Sequence, residues 1–333
     1  MRKNYEEMTQ KYSTFGSKLL QHCDVLDSIQ REYIWKPITV QLSLTSACGF
    51  RCSFCSVQNR PQGVNIPIKT VKKSLLDFKE LGAKALEITG GGEPLLYEKV
   101  NEVIEFADTL KYDIGVISSY PEPKTKIQKR NLEIIKWLRV SLNGLDENLR
   151  PEHYNFHNIP KGKLAFSYII NDRTNNQVLN NIYELVQNYP EVKFVRIAGD
   201  CLSGKNLKRI KRKWGKKIER INQSGKFFVK EINNNYLPFK KFCGVGAVRP
   251  YCVEDGKIYI CTSHVLKNRT YDKNYIIGDM NNVKEMYALM NIKRLIGEPP
   301  YDINVKKCFH CFYYNNNKIL YEITRQIPDK NFA

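Results

Sequence analysis

The 333-residue chain has no apolar run that approaches the length of a membrane span. Its first residues, MRKNYEEMTQKYSTFG, are polar and lack the apolar stretch of a secretory signal. No membrane partner is expected, and a reducing cytoplasm is the expected location. In that setting the ten cysteines read as metal or redox ligands before they read as disulfides. Acidic residues are also scarce. Against 53 Lys and Arg stand 34 Asp and Glu, leaving a net charge of +19. A surplus of that size points to a polyanionic partner before a neutral metabolite. Two smaller absences matter as well. No His or Cys follows closely on the cysteine group at 48–55, and no Cys follows Cys311.

What is present begins with that group. Cys48, Cys52 and Cys55 stand in Ser46-Ala-Cys-Gly-Phe-Arg-Cys-Ser-Phe-Cys-Ser56, a C-x3-C-x2-C spacing. Three thiolates so close can share one face of a small loop, and iron–sulfur clusters select thiolate. Three ligands for four irons leave one iron open to a small molecule. A zinc site is the competing reading, but it needs a fourth ligand nearby and usually pairs C-x2-C motifs.

Around this loop the chain alternates. Residues 38–44, 84–90, 112–118, 137–144, 163–171 and 192–200 read as strands, and 69–81, 95–110, 125–136 and 175–188 as helices. Six strands alternating with helices argue for a parallel sheet with crossover helices. The first strand runs into the cysteine loop. The second ends in Gly90-Gly91-Gly92-Glu93-Pro94, where glycines let backbone approach a ligand closely. Hydrophobic residues make up 42% of the chain, enough for one large α/β domain and a small second one. Ahead of the first strand, Leu19, Leu20, Cys23, Leu26 and Ile29 recur at helical spacing, with Cys23 read as core.

The cysteine loop, Phe54 before its last cysteine and the glycine run after the second strand together resemble the radical SAM superfamily. That resemblance implies an open (βα)6 partial TIM barrel over 37–235, behind an N-terminal helical extension at 1–36. It implies a [4Fe–4S] cluster on Cys48, Cys52 and Cys55, with S-adenosylmethionine chelated by the open iron. Phe54 and the backbone of Gly90, Gly91, Gly92 and Glu93 would border the cofactor. Ser141 and Asn143 after the fourth strand match positions that contact its ribose and methionine parts, and Asn171 matches a common Asn after the fifth. Arg150 and Lys163 are the two candidates for its carboxylate. Cys201, ending the sixth strand, is either a hydrogen-atom donor or a small buried residue. A donor such as flavodoxin or ferredoxin would supply electrons.

The C-terminal segment carries Cys243, Gly256 and Cys261 as C-x12-G-x4-C, then Cys308 and Cys311 as C-x2-C. This is similar to the twitch, or half-SPASM, domain, an α+β unit expected here over 236–333. It implies a second, auxiliary [4Fe–4S] cluster on Cys243, Cys261, Cys308 and Cys311. The same cysteines suit a four-thiolate zinc site. Cys252 either replaces one of the four or stays free.

Between the two regions, residues 203–241 hold thirteen Lys or Arg against Glu219 and Glu231. Leu207, Ile210, Trp214, Ile218 and Ile221 make this an amphipathic helix with a basic outer face. Nucleic acid or a nucleotide is the first substrate reading, with Tyr251, Tyr259, Phe309, Phe312, Tyr313 and Tyr314 as stacking candidates. A ribosomal peptide or protein is the second and a small polyol or amino sugar the third.

Overall fold

The computed structural model describes residues 7–8, 11–12, 16–120, 126–147, 149–200, 202, 207–222, 225–229, 239–308 and 311–325. The first helix of the barrel shows how pattern becomes packing. Helix α1 (Ile68–Glu80) buries Val71, Leu75 and Phe78, one stripe at i, i+4 and i+7. Each such side chain contributes about 1.5–3 kcal/mol by leaving water. Gly82, at φ +104°, turns the chain back into the sheet.

Strands β1 (Thr39–Ser43), β2 (Ala85–Thr89), β3 (Asp113–Ser118), β4 (Trp137–Ser141), β5 (Leu164–Ile170) and β6 (Val195–Gly199) pair in sequence order, all parallel. Helices α2 (Val100–Thr109), α3 (Lys129–Ile134) and α4 (Asn176–Asn188) lie on the connections. The six strands expected from alternation are present, and the barrel stays open. Because all run one way, the C-terminal ends of β1, β2, β4 and β5 share one end of the sheet. That end carries the cysteine loop and the glycine run.

The basic segment is built into the barrel wall. Helix α5 (Leu207–Ile221) is a crossover to a seventh parallel strand, β7 (Phe227–Val229), paired with β6. Such a helix must run antiparallel to the strands, back along the barrel's outer face. Trp214, Ile218 and Ile221 are buried, while Arg212, Lys213 and Lys216 are exposed. The strand was hidden because Phe227-Phe228-Val229 is short and flanked by Lys226 and Lys230.

The C-terminal strands extend the same sheet from its other edge. β8 (Tyr251–Cys252) pairs parallel with β1, then antiparallel with β9 (Lys257–Tyr259), which pairs with β10 (Ile276–Asp279). The ten-stranded order is β10-β9-β8-β1-β2-β3-β4-β5-β6-β7. The turn between β8 and β9 needs Gly256, at φ +80°. Inside the barrel, Glu87 of β2 accepts from Gln41 of β1 at 2.6 Å and pairs with Arg249 at 3.1 Å, a further tie between the two regions. The boundary expected at 235/236 lies outside the described residues.

Helices α6 (Val283–Leu295) and α7 (Tyr314–Thr324) complete the C-terminal region. In the N-terminal extension the described helical turns are Gly16–Leu19, Cys23–Asp27 and a π turn, Ser28–Glu32. Leu19, Val25 and Ile29 carry the burial there; Cys23 is exposed and so is not core. The helix stops after Leu19 and restarts at Cys23, which breaks the 3.6-residue stripe ahead of Cys23. Among the described residues no helix is long and apolar enough to cross a membrane.

Candidate functional site

The loop that follows β1 is pinned to the glycine run that follows β2. The Gly92 N–H donates to the Thr45 carbonyl at 2.8 Å and the Glu93 N–H to the Ala47 carbonyl at 2.7 Å. A Cβ on Gly92 would lie 2.1 Å from the Ala47 oxygen, and one on Gly91 2.3 Å from the Tyr271 hydroxyl. Only glycine permits this approach, which sets the backbone of 90–93 directly beside the residue before Cys48. The Glu93 carboxylate is consumed locally. It accepts from the Leu95 N–H and the Ser118 hydroxyl at 3.1 and 2.6 Å, and from the Ser119 N–H and hydroxyl at 2.7 and 2.5 Å. Glu93 thus ties the end of β2 to the end of β3.

Cys48, Cys52 and Cys55 are all half-buried in this loop, with Phe54 half-buried beside them. Burial pushes the Cys52 thiol up to about 12, helped by Cys55, Cys48, Glu147 and Asp146. Burial also raises Cys48. Crowded thiols that resist ionising alone are the donor set a cationic iron centre converts to thiolates, so the residues fit such a group.

The far side is organised by Asp146, which the sequence reading did not single out. Asn143 and Asn171 donate to its Oδ2 at 2.8 and 2.7 Å, and the Tyr168 hydroxyl to its Oδ1 at 2.6 Å. The Asn143 Oδ1 accepts from the Ile169 N–H and the Asn171 Oδ1 from the Arg173 N–H. Both amides are therefore brought together, with their donors and acceptors engaged inside the protein. Ser141 is half-buried at the end of β4, opposite Ser167. Arg150 is exposed beside Glu152, and Lys163 precedes β5, at the opposite end of the barrel from the cysteine loop. Cys201 lies outside the described residues.

The second cysteine group assembles from three segments. Cys243, Cys261, Cys308 and Cys311 line one cavity with Phe239, Phe242, Tyr275 and Tyr313. Burial pushes the Cys261 thiol up to about 12 and raises the other three. The Tyr301 hydroxyl lies 3.6 Å from the Cys243 sulfur, and the Asn317 side-chain amide 3.8 Å from that of Cys311. His264 stacks on Tyr259 at 4.4 Å, and its Nδ1 lies 2.5 Å from the Cys261 carbonyl oxygen. Burial holds that ring down to about 4. Cys252 is fully buried in β8 and does not line the cavity. Among the described residues no three His, Cys, Asp or Glu side chains converge on a single-ion point. Four thiols around one cavity are a donor set that an iron–sulfur cluster or a zinc ion would take.

Three of the proposed stacking aromatics, Tyr251, Tyr259 and Tyr313, are core residues, because their short strands and turns face the interior. Phe312 is half-buried, Tyr314 is exposed, and Phe309 lies outside the described residues.

An open parallel barrel with a three-thiol loop at the end of its first strand is the architecture that the sequence resemblance implies. Residues 42–200 match the family model of the Radical SAM superfamily. The GTP 3',8-cyclase of Haemophilus ducreyi is 33% identical over 91 residues, 25% of this chain and 24% of that protein. The S-adenosylmethionine-dependent nucleotide dehydratase RSAD2 of Siniperca chuatsi is 25% identical over 127 residues, 37% and 35%. The chain thus spans about a quarter to a third of the length of these relatives. Streptococcus suis SuiB, solved bound to precursor peptide SuiA, superposes with a TM-score of 0.57 at 15% identity. The superposition covers 91% of this chain and 78% of that one, a likeness of fold.

Proposed function

We propose that this chain holds a [4Fe–4S] cluster on Cys48, Cys52 and Cys55 and S-adenosylmethionine against the backbone of Gly90–Glu93, with Phe54, Ser141, Asn143 and Asn171 around it. When bound, these groups supply a 5′-deoxyadenosyl radical, formed with one electron from a donor such as flavodoxin or ferredoxin, that removes a hydrogen atom from the substrate. The observation that carries the reading is the pinning of the cysteine loop to the glycine run through Gly92 and Glu93. The chain's own part is positional. Gly91 and Gly92 keep the backbone free of side chains, Glu93 fixes the end of β3, and Asp146 gathers Asn143 and Asn171.

Cys243, Cys261, Cys308 and Cys311 hold a second, auxiliary [4Fe–4S] cluster in this reading. Four protein ligands leave no iron open, which favours electron transfer over substrate binding. The substrate class is a nucleotide. The names of the two curated relatives support it, as does the charge of +19. A polynucleotide held by the exposed face of α5 is a second reading, favoured by Arg212, Lys213 and Lys216.

The test is anaerobic reconstitution followed by metal and sulfide analysis, then reduction with S-adenosylmethionine present. About eight irons and release of 5′-deoxyadenosine are expected. Adding nucleoside triphosphates one by one should convert one of them. Zinc in place of iron, or no 5′-deoxyadenosine, overturns the enzyme reading. Turnover of a peptide or an amino sugar instead overturns only the substrate class.

A further inference from the structure

Arg60 stands five residues beyond Cys55 and is 7% exposed. Its Nε and Nη2 donate to the Ser46 carbonyl at 3.0 and 2.9 Å, and its Nη1 to the Val57 carbonyl at 2.8 Å. The same Nη1 lies 3.8 Å from the Cys55 sulfur. A guanidinium stays charged at any pH the protein meets, and burying it costs solvation unless an anion is near. These partners include no carboxylate. Carbonyl dipoles fix its orientation, the buried Glu254 carboxylate acts on it through space, and the atom in contact that becomes anionic when it holds a cluster is the Cys55 sulfur.

A second guanidinium reaches the same residue from the C-terminal region. Arg269 follows Cys261 by eight positions and donates through Nε and Nη2 to the Cys55 carbonyl at 3.1 and 3.0 Å, and through Nη2 to the Ser53 carbonyl. Its own carbonyl accepts from the Asn59 N–H at 2.8 Å, and that of Asn268 from the Asn59 side chain at 3.1 Å. Arg269 sits at φ +56°, a conformation that side-chain-bearing residues adopt only when their surroundings impose it.

We infer that Arg60 and Arg269 are positioning residues that act through Cys55 to raise the reduction potential of the cluster on Cys48, Cys52 and Cys55. The inference rests on the cluster assignment proposed above. A reduced cluster carries one more negative charge than an oxidised one. Nearby cations and N–H donors to sulfur therefore stabilise the reduced form more, and a partly dry site strengthens the effect. Arg60 touches the sulfur and Arg269 the carbonyl, so Arg60 acts more strongly. The contact from Arg269 also makes the C-terminal region a determinant of how readily the first cluster accepts an electron.

The experiment is an EPR-monitored redox titration of the full-length reconstituted protein. It reads the signal that is absent when Cys48, Cys52 and Cys55 are changed to Ala together. If that triple variant keeps all the iron of the wild type, the cluster assignment itself fails, before any potential is compared. With the assignment intact, Arg269→Gln should keep its iron and titrate at a more negative potential. Arg60→Gln should shift further the same way, and Arg60→Lys should fall between it and the wild type. Wild-type potentials in Arg60→Gln and Arg269→Gln at full iron content overturn the inference. Should Arg60→Gln lose its cluster because the Ser46 and Val57 carbonyls lose their donor, Arg60→Lys and Arg269→Gln decide. A negative shift in both supports the inference, and an unchanged or more positive potential in either overturns it.

Discussion

The two cysteine groups are built in opposite ways. Cys48, Cys52 and Cys55 lie within eight residues on one loop, held from outside by backbone contacts and two arginines. Cys243, Cys261, Cys308 and Cys311 span 69 residues and meet only because β8, β9 and α7 are already packed. The first loop can keep its shape without metal, since the sheet and its clamps define it. In the proposed reading a cluster on the second group would cross-link segments distant in sequence and add to the stability of their packing. In that reading the cysteines close in sequence serve the reactive loop, and those far apart tie segments together around an electron carrier.

The largest effect should come from changing Cys48, Cys52 and Cys55 to Ala together. Iron should fall by about half and S-adenosylmethionine cleavage should vanish, while the melting temperature moves little. A triple variant that still makes 5′-deoxyadenosine breaks the assignment. Next, Cys308→Ala should degrade the second cluster and speed amide exchange across 239–325. Cys252→Ala should keep full iron, because its side chain is fully buried and does not line the cavity of the other four cysteines. Equal iron loss in both variants would erase the distinction between staple and bystander.

A smaller effect tests the clamp alone. Gly92→Ala forces a Cβ into the Ala47 carbonyl and should cost on the order of 1–3 kcal/mol, read by denaturant unfolding, with S-adenosylmethionine binding weakened. Wild-type stability and binding would mean the loop is not pinned there. The smallest change in stability is expected when Arg212, Lys213 and Lys216 become Ala, within about 0.5 kcal/mol. If the polynucleotide reading holds, the salt slope of binding should become shallower by about 2–3. No binding at low salt retires that reading and leaves the nucleotide.

The legible parts of this molecule are those whose signal is local. β1 and β2 alternate cleanly, and their ends carry the cysteines and glycines, so strand, loop and fold class follow from one stretch of sequence. β7 was not legible, because three apolar residues between lysines carry no period. Cys23 was misplaced because a stripe continues on paper where the helix breaks, between Leu19 and Cys23. Tyr251 and Tyr259 looked like stacking surfaces because an aromatic in a two- or three-residue strand has no pattern to show which way it faces. Arg60, Arg269 and Asp146 leave the least trace. Arg60 and Arg269 bind main-chain carbonyls, which every residue has, so no spacing announces them. Asp146 gathers Asn143 and Asn171 only after β4 and β5 have paired.

The parallel pairing of β8 with β1 also orders events during synthesis. The strand that carries the cysteine loop emerges ahead of the rest of the sheet, yet its outer edge is covered by a strand more than two hundred residues later. Until then β1 offers a bare row of backbone donors and acceptors, the kind of edge that recruits other chains. Arg269 arrives later still. The nascent barrel therefore has to be kept from sticking before its first loop is finished, and a chain cut after β7 would be aggregation-prone with every barrel residue present.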